Sequence, residues 1–386
     1  QEYYRPYYIF NDFSNFNINS NSDLEDIRNI NLGHKFLMTY SHLNYEFNYL
    51  NNFYEKNNIY LRYSYNSNLN SQYFLSFSMF IENSKKRSKI QNIEYHNDSL
   101  LGYSTDLEKG YMSFQNENFF IKCGRDYFLP GYYSFNRILF SSKGYPFDQF
   151  FFEYNNNKIS ISSFYLHLDP FLNISNGSST TQFPIKRYLN GHRIDYKFNN
   201  GYFAVNELII YGGANSSLEL PFLNPLIPYY IYHKNHGNFP SNSIISFEFF
   251  IKNKKHNFFF EFVLDDIQID NDTSYDLEPA QFGFFVESKS YITKNNQIKF
   301  NYLMISNRTF NAPDNDYEKY INNNFPMGHF LGNNFWNTSF SIISELPNLV
   351  YSLEFSYLVL GEEALYSDFN KDYLDYTIEQ GYSEEF

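Results

Sequence analysis

Residues 244–251 read Ile244-Ile245-Ser246-Phe247-Glu248-Phe249-Phe250-Ile251, and this stretch decides the fold. Ile245, Phe247, Phe249 and Ile251 fall on one side of an extended chain, against Ser246 and Glu248 on the other. Successive side chains of a strand point to opposite faces, so the run predicts a strand with one apolar and one polar face. The same period of two returns at 42–50, where Leu43, Tyr45, Phe47 and Tyr49 alternate with His42, Asn44, Glu46 and Asn48. It returns again at 59–66, 72–82, 297–305 and 351–359; in the last, Tyr351, Leu353, Phe355, Tyr357 and Val359 face away from Ser352, Glu354 and Ser356. Two-faced strands of about ten residues are what a tilted strand needs to cross the core of a bilayer.

Between these strands the connections are of two kinds. Short polar turns stand at Asn156-Asn157, Asn199-Asn200-Gly201, Asn253-Lys254-Lys255 and Asn295-Asn296. Long stretches stand at 83–109, 128–147, 170–185, 212–240 and 309–333. Short turns at one rim and long loops at the other is the asymmetry of an outer-membrane barrel. In hydrocarbon every backbone N–H and C=O needs a partner, so such a sheet has to close. At roughly 20 residues per strand with its connections, the chain predicts about 16 to 20 strands. The expected fold class is therefore all-β, a large antiparallel transmembrane β-barrel. A soluble sandwich or propeller would also alternate, but its apolar face would be core, richer in Val, Ile and Leu and poorer in Tyr.

Composition agrees. The chain has 386 residues, of which 39 are Tyr and 45 Phe, giving 22% aromatics, yet its mean hydropathy is −0.51. Aromatic and polar residues must then be finely interleaved, which alternation achieves. Ala is scarce and β-formers abound, against an amphipathic helical fold. No run of eighteen or more apolar residues occurs, so no transmembrane helix is expected. No signal-like segment precedes Gln1, and a signal peptide removed before it is the expectation for an exported chain. The single cysteine, Cys123, excludes an internal disulfide. A net charge of −13 argues against nucleic acid as a partner. Three regions follow: a short N-terminal segment at 1–33, a barrel over 34–360 and an acidic tail at 361–386.

Four blocks in the middle of the chain carry a resemblance. The first runs from Gly124-Arg125-Asp126-Tyr127 through Pro130-Gly131 and Leu139-Phe140-Ser141-Ser142 to Pro146-Phe147-Asp148-Gln149. The second is Lys186-Arg187-Tyr188-Leu189-Asn190-Gly191-His192-Arg193-Ile194-Asp195. The third is Leu223-Asn224-Pro225-Leu226-Ile227-Pro228-Tyr229-Tyr230, followed by Ser246-Phe247-Glu248, and the fourth is Glu261-Phe262 with Leu264-Asp265-Asp266. In order and spacing, 124–270 resembles the capsule-assembly Wzi family, particularly its Bacteroidetes-type relatives. The resemblance implies an outer-membrane barrel of about 18 strands that binds exported polysaccharide at the cell surface, helps to anchor a capsule and is not an enzyme. Its implied surroundings are outer-membrane lipid and lipopolysaccharide, with other outer-membrane subunits as further candidate partners. Where proteobacterial relatives carry a helical plug, residues 1–33 are short and Asn-rich. A porin-like channel for small solutes and an accessory subunit of a larger complex are the rival readings.

The candidate site residues are polar and aromatic members of these blocks: Arg125, Asp126, Tyr132, Tyr133, Asp148, His192, Arg193, Asp195, Asn224, Asp265 and Asp266. Arginine forks and carboxylates bind sugar hydroxyls, and aromatic rings stack on sugar faces. The competing reading is a network of ion pairs that fills a wide lumen and holds loops inward. For Arg193, fixed in a strand, bracing is the expected role; for the loop rings of Tyr132 and Tyr133, sugar binding. Glu248 reads as a replaceable lumen residue. No catalytic fingerprint is present. His167 with Asp169, and His233 with His236, read as hydrogen-bonded fillers rather than metal ligands, and no cofactor is expected. Leu223 to Ile231, with Pro225 and Pro228 forbidding a regular strand, is expected to fold into the barrel mouth as a constriction, the alternative being a long extracellular loop that packs on its own aromatics.

Overall fold

The structure, a computed structural model, describes residues 60–69, 71–82, 104–134, 136–141, 144–173, 183–213, 216–235, 240–266, 280–293, 295–312, 315–346, 349–361 and 365–366. Among these residues fourteen long strands follow one another in sequence order in a single antiparallel sheet. They are β1 (Tyr60–Asn68), β2 (Tyr73–Glu82), β3 (Ser104–Gln115), β4 (Phe119–Asp126), β5 (Phe147–Asn155), β6 (Ile159–Asn173), β7 (Phe183–Phe198), β8 (Gly201–Gly213), β9 (Ser241–Lys252), β10 (His256–Asp266), β11 (Gln281–Tyr291), β12 (Asn296–Ile305), β15 (Phe335–Leu346) and β16 (Leu349–Leu360). A small hairpin, β13 (Ile321–Asn322) with β14 (Phe325–Pro326), lies in the connection between β12 and β15. Among the described residues helix is confined to a 3-10 turn at Leu220–Leu223, the short helix α1 at Tyr229–Asn235 and a second 3-10 turn at Asp316–Glu318. Among the described residues no helix is long and apolar enough to cross a membrane.

The all-β, antiparallel class expected from the alternation is what the structure shows. The runs at 59–66, 72–82, 244–251, 297–305 and 351–359 fall in β1, β2, β9, β12 and β16; the run at 42–50 and the segment 1–33 lie outside the described residues. Connections after odd-numbered strands up to β11 are short, and those after even-numbered strands up to β12 are long. Four of the short turns share one chemistry. Asn116, Asn156 and Asn253 each accept two backbone N–H groups two and three residues ahead at 2.7–3.0 Å. Thr293 does the same at 3.1–3.2 Å. A side-chain oxygen thus satisfies the donors that each turn strands.

Some strands reach into stretches expected as loops. Residues 104–109 belong to β3; they read as loop because both faces are polar, with Glu108 buried and accepting from the Ser78 hydroxyl at 2.9 Å. β6 continues to Asn173 and β7 begins at Phe183, so only 174–182 separates them. Pro170 survives in β6 because the pairing shifts register between Leu168 and Phe171, and Pro184 sits at the start of β7.

The chain falls into two compact units. The first, 60–128 with 145–152 among described residues, pairs β1 to β4 and carries most of β5. One face of its β1–β2 pair is apolar, with Tyr63 against Phe77 at 6.1 Å. The other is a polar ladder in which Ser64 meets Ser78 at 3.1 Å and Ser76 donates to Asn66 at 2.8 Å.

The second unit takes in 129–144 and the described residues from 153 onward. One face of its sheet is covered by chain. Phe164, Leu166, Leu189, Leu208, Ile210, Ile244, Val263, Phe285 and Leu303 lie on it, all buried. The connection 129–144 and the long connection 306–334 pack there, bringing Ile138, Leu139, Phe140, Phe310 and Tyr320 into the core. Gly191 belongs to this face because a Cβ there would run into the Phe164 ring. The opposite face carries Ile194, Tyr196, Phe203, Phe247, Phe249 and Phe262, and its rings stack across strands, Phe203 on Phe247 and Phe247 on Phe262, both at 6.5 Å. Ile194, Tyr196 and Phe203 are exposed.

Candidate functional site

The covered face of the second unit carries, below its apolar core, a cluster of buried charge assembled from four strands and one loop. Arg193 on β7 is surrounded by acceptors. Its Nη1 donates to Glu248 Oε1 at 2.5 Å and its Nη2 to Glu248 Oε2 at 3.1 Å. Its Nε and Nη2 donate to Asp195 Oδ1 at 3.0 and 2.8 Å, and Nη1 also reaches Asn206 Oδ1 on β8. Strand pairing explains the meeting: Arg193 lies opposite Asn206, Asn206 opposite Ser246, and Glu248 is two residues further along the same face of β9.

The loop enters through Arg137. Its Nη2 donates to Glu248 Oε1 at 2.8 Å and its Nε to Glu261 Oε1 on β10 at 2.9 Å, while Nη1 donates to the carbonyls of Pro130 and Tyr132. Glu261 also accepts from the backbone N–H groups of Ile138, at 2.8 Å, and Leu139. Arg137, Arg193, Glu248 and Glu261 are all buried. Burial by itself would pull the pKa of the Arg137 guanidinium down, but the Glu248 and Glu261 carboxylates beside it hold it above the ordinary arginine value. Gly131 makes the approach possible: its φ is +85°, and a Cβ there would collide with the Glu248 carboxylate.

A second anchor lies beside the first. The Tyr132 ring is stacked between Phe250 and Phe259, both centroids 4.8 Å away, and its hydroxyl donates to Glu287 Oε1 on β11 at 2.7 Å. Ser134 donates to the other Glu287 oxygen at 2.9 Å, and Lys289 and Lys299 stand 3.1 and 3.0 Å from that carboxylate. The long connection 306–334 is tied down by Arg187 on β7, which donates to the carbonyls of Tyr317, Lys319 and Ile321 and pairs with Asp169 at 3.2 Å.

The sequence candidates are thus distributed as follows. Arg193 and Asp195 belong to the buried cluster, and Tyr132 to the anchor beside it. Tyr133, its neighbour, is exposed. In the first unit Arg125 grips Asp148 with two donors, at 2.9 and 2.6 Å, in a partly exposed fork, while Asp126 pairs with Lys122 at 3.0 Å. Asp265 accepts the backbone N–H of Phe310 at 2.5 Å, and Asp266 is exposed at the end of β10. His192 and Asn224 are elsewhere. His192 faces the uncovered side of the sheet, 3.0 Å from Glu207, and Asn224 ends the 3-10 turn that packs on that same side. The segment 216–235 therefore does not fold toward the covered face as a constriction. Phe222 and Tyr229 bury themselves against Tyr188, Ile209 and Tyr211, on the face opposite the Arg137 loop. The reason is local: those three outward side chains form an apolar seat directly under the end of β8. His233 and His236 lie outside the described side chains.

Arg137, Glu248, Glu261 and Glu287 are not among the candidates that the sequence singles out for the site. Glu248 and Glu261 were visible as the polar members of otherwise aromatic strands, which is a signal. Arg137 had none, because its partners are 111 and 124 residues away. Among the described residues no group of His, Cys, Asp or Glu side chains could hold a metal ion. Chemically, both oxygens of Glu248 and of Glu261 are already engaged, so the geometry is that of a brace.

No family model and no curated protein matches the chain. Solved structures do. One is Wzi, an outer-membrane protein involved in group 1 capsule assembly in Escherichia coli and described as a carbohydrate-binding β-barrel, with a TM-score of 0.52 and 12% identity over 78% of this chain and 65% of that one. The chain thus spans just under two thirds of that protein's length. Others are the outer-membrane channel DcaP of Acinetobacter baumannii (TM-score 0.41, 8% identity, 78% of each chain) and OmpF of Salmonella typhi in complex with daunomycin (0.44, 10%, 79% and 84%). The fold is of the outer-membrane β-barrel kind, and at these identities the likeness concerns the fold.

Proposed function

We propose that this protein resides in the bacterial outer membrane as a β-barrel and binds exported surface polysaccharide there without catalysing a reaction. The observation that carries this reading is the Arg137 loop, bolted to the polar face of the sheet by Glu248, Glu261 and Glu287. A porin keeps its polar face wet for solutes to pass. Here charged side chains are excluded from water and held by one another, which serves a closed surface and not a conduit. The uncovered face, lined by Phe203, Phe247, Phe249 and Tyr196, suits lipid. The Wzi neighbour, described as binding carbohydrate, supports the choice of ligand, as do the family-like blocks at 124–270. The buried members of the cluster brace the loop; exposed Tyr133 next to it offers the ring, and in the first unit the Arg125–Asp148 fork offers the hydroxyl partners, that a sugar takes.

The test is paired. Purified protein in planar bilayers is expected to give no steady open-channel current, and cells carrying it are expected to retain more surface polysaccharide than cells lacking it. A steady current with unchanged polysaccharide retention would support a channel instead.

A further inference from the structure

Segment 216–235 pairs several of its backbone groups underneath, against the sheet. The Ser163 hydroxyl donates to the Leu223 carbonyl at 3.0 Å, and the Asn190 amide to the Phe222 carbonyl at 3.3 Å. The Tyr229 hydroxyl donates to that same carbonyl at 2.6 Å, and the Tyr211 hydroxyl to Asn190 Oδ1 at 2.9 Å. The Tyr230 N–H donates to Glu207, which in turn meets His192 at 3.0 Å. Pro221, Pro225 and Pro228 contribute no N–H at all, so three donors that would need partners are absent. Phe222 and Tyr229 are buried against the sheet, but three large apolar side chains point the other way: Leu220 is 73% exposed, Leu226 74% and Ile231 56%.

Water disfavours an arrangement that leaves three large apolar side chains outward above backbone groups paired beneath them. Hydrocarbon selects this one, because there an unpaired backbone group costs several kcal/mol and an exposed leucine costs nothing. The segment also continues a surface of the same character: Ile194, Tyr196 and Phe203 stand exposed on the face of β7 and β8 over which it is folded. It joins β8 to β9 at the end of the sheet where the long connections lie, the external rim in barrels of this kind. Tyr230 and Tyr232, with Tyr165 and His167 beside the segment, supply the amphipathic rings found where acyl chains meet headgroups.

We propose that 216–235 is a lipid-seated clamp, a connection folded back over the membrane-facing side of the sheet with Leu220, Leu226 and Ile231 among the acyl chains of the outer leaflet. It rests on the membrane reading above and adds a contact that reading does not contain. A loop held this way fixes the depth of the rim in the bilayer, while the 129–144 connection on the other face is free of that task.

Site-directed spin labelling tests it. Cys123→Ser removes the native thiol, and single variants Leu226→Cys, Phe249→Cys and Asn157→Cys carry a nitroxide in full-length protein reconstituted in phosphatidylcholine vesicles. Collision with oxygen and with a water-soluble nickel chelate is then read by power saturation. The label at 226 is expected to favour oxygen as the label at 249 does, while the label at 157, in a short turn, favours nickel. Nickel access at 226 with none at 249 would overturn the clamp and leave the membrane reading standing. Shielding of 226 from both reagents would overturn it in favour of a second copy or a protein partner. Nickel access at 249 would overturn both readings together. Should Leu226→Cys not fold, Leu220→Cys, equally exposed, replaces it.

Discussion

The guanidinium of Arg137 and the carboxylate of Glu248 meet at 2.8 Å across 111 residues of chain, with 3% of the first side chain and none of the second exposed to solvent. Arg137 lies in an irregular connection and Glu248 in the middle of β9, so this contact ties the least regular part of the second unit to the most regular. Glu248 is shared with Arg193 and Arg137 is shared with Glu261. Removing any one member leaves a charge without its partner where water does not reach.

Arg137→Ala is therefore expected to destabilise the protein by about 3–5 kcal/mol, the range for breaking a buried pair from one side. Arg137→Lys should recover little, because one ammonium cannot serve Glu248, Glu261 and the carbonyls of Pro130 and Tyr132 from the position of a planar fork. Denaturant unfolding in detergent, or the temperature at which unboiled protein loses its fast migration on a gel, measures both. Equal midpoints for wild type and Arg137→Ala would mean that the loop is held by something else.

Phe247 and Glu248 are neighbours with opposite surroundings, and their variants should separate. Phe247→Arg puts a cation on the aromatic outward face and should cost about 2–4 kcal/mol near the bilayer midplane. The alternation alone marks Glu248 as a replaceable lumen residue, whereas the structure gives its carboxylate two arginines, the Asn206 amide and the Tyr202 hydroxyl. Glu248→Gln keeps the shape and deletes the charge, leaving Arg193 and Arg137 undercompensated, and should cost as much as Phe247→Arg or more. Stability curves for the two variants decide; a silent Glu248→Gln would return the residue to its sequence reading.

Much of this was legible beforehand because period two is a local signal. The run at 244–251 names its two faces correctly without knowledge of any partner, and the Asn-rich turns announce themselves. Distance in sequence is what hid the rest. Arg137 sits between family-like residues with nothing near it to pair with, and its meaning appears only when β9 and β10 bring Glu248 and Glu261 beneath the loop. Segment 216–235 hid for another reason. Prolines exclude a strand and apolar residues demand an apolar surrounding, but a two-sided sheet offers one on either face, and no pattern in the segment says which.

Gly131→Ala probes how closely the loop lies on the cluster. Its φ of +85° disfavours any side chain, and a Cβ would meet the Glu248 carboxylate with Arg137 and Arg193 nitrogens 3.2 Å away. Strain of about 1–3 kcal/mol is expected from the backbone alone, with a further loss from displaced ion pairs. Limited proteolysis should show the effect as faster cleavage within 129–144 at a temperature where the strands remain intact. Unchanged cleavage would place the loop further from the sheet than the geometry does.

The final pair of variants divides brace from binding surface. Arg193 is fully buried on β7, held by Asp195, Asn206 and Glu248. Arg193→Ala should lower stability by several kcal/mol through the uncompensated Glu248 and Asp195 carboxylates, and polysaccharide retained per folded molecule should stay as in the wild type. Tyr133 is the opposite case. Its ring is 37% exposed next to a Tyr132 locked between Phe250 and Phe259, so it is presented on a rigid base. Stacking of a sugar on such a ring is lost in Tyr133→Ala while the anchors below remain. Retained polysaccharide should fall several-fold with unfolding unchanged. Measuring both quantities on the same preparation prevents a folding defect from passing as a binding defect. If Arg193→Ala kept its stability and shed polysaccharide, the cluster would be the site and not its support.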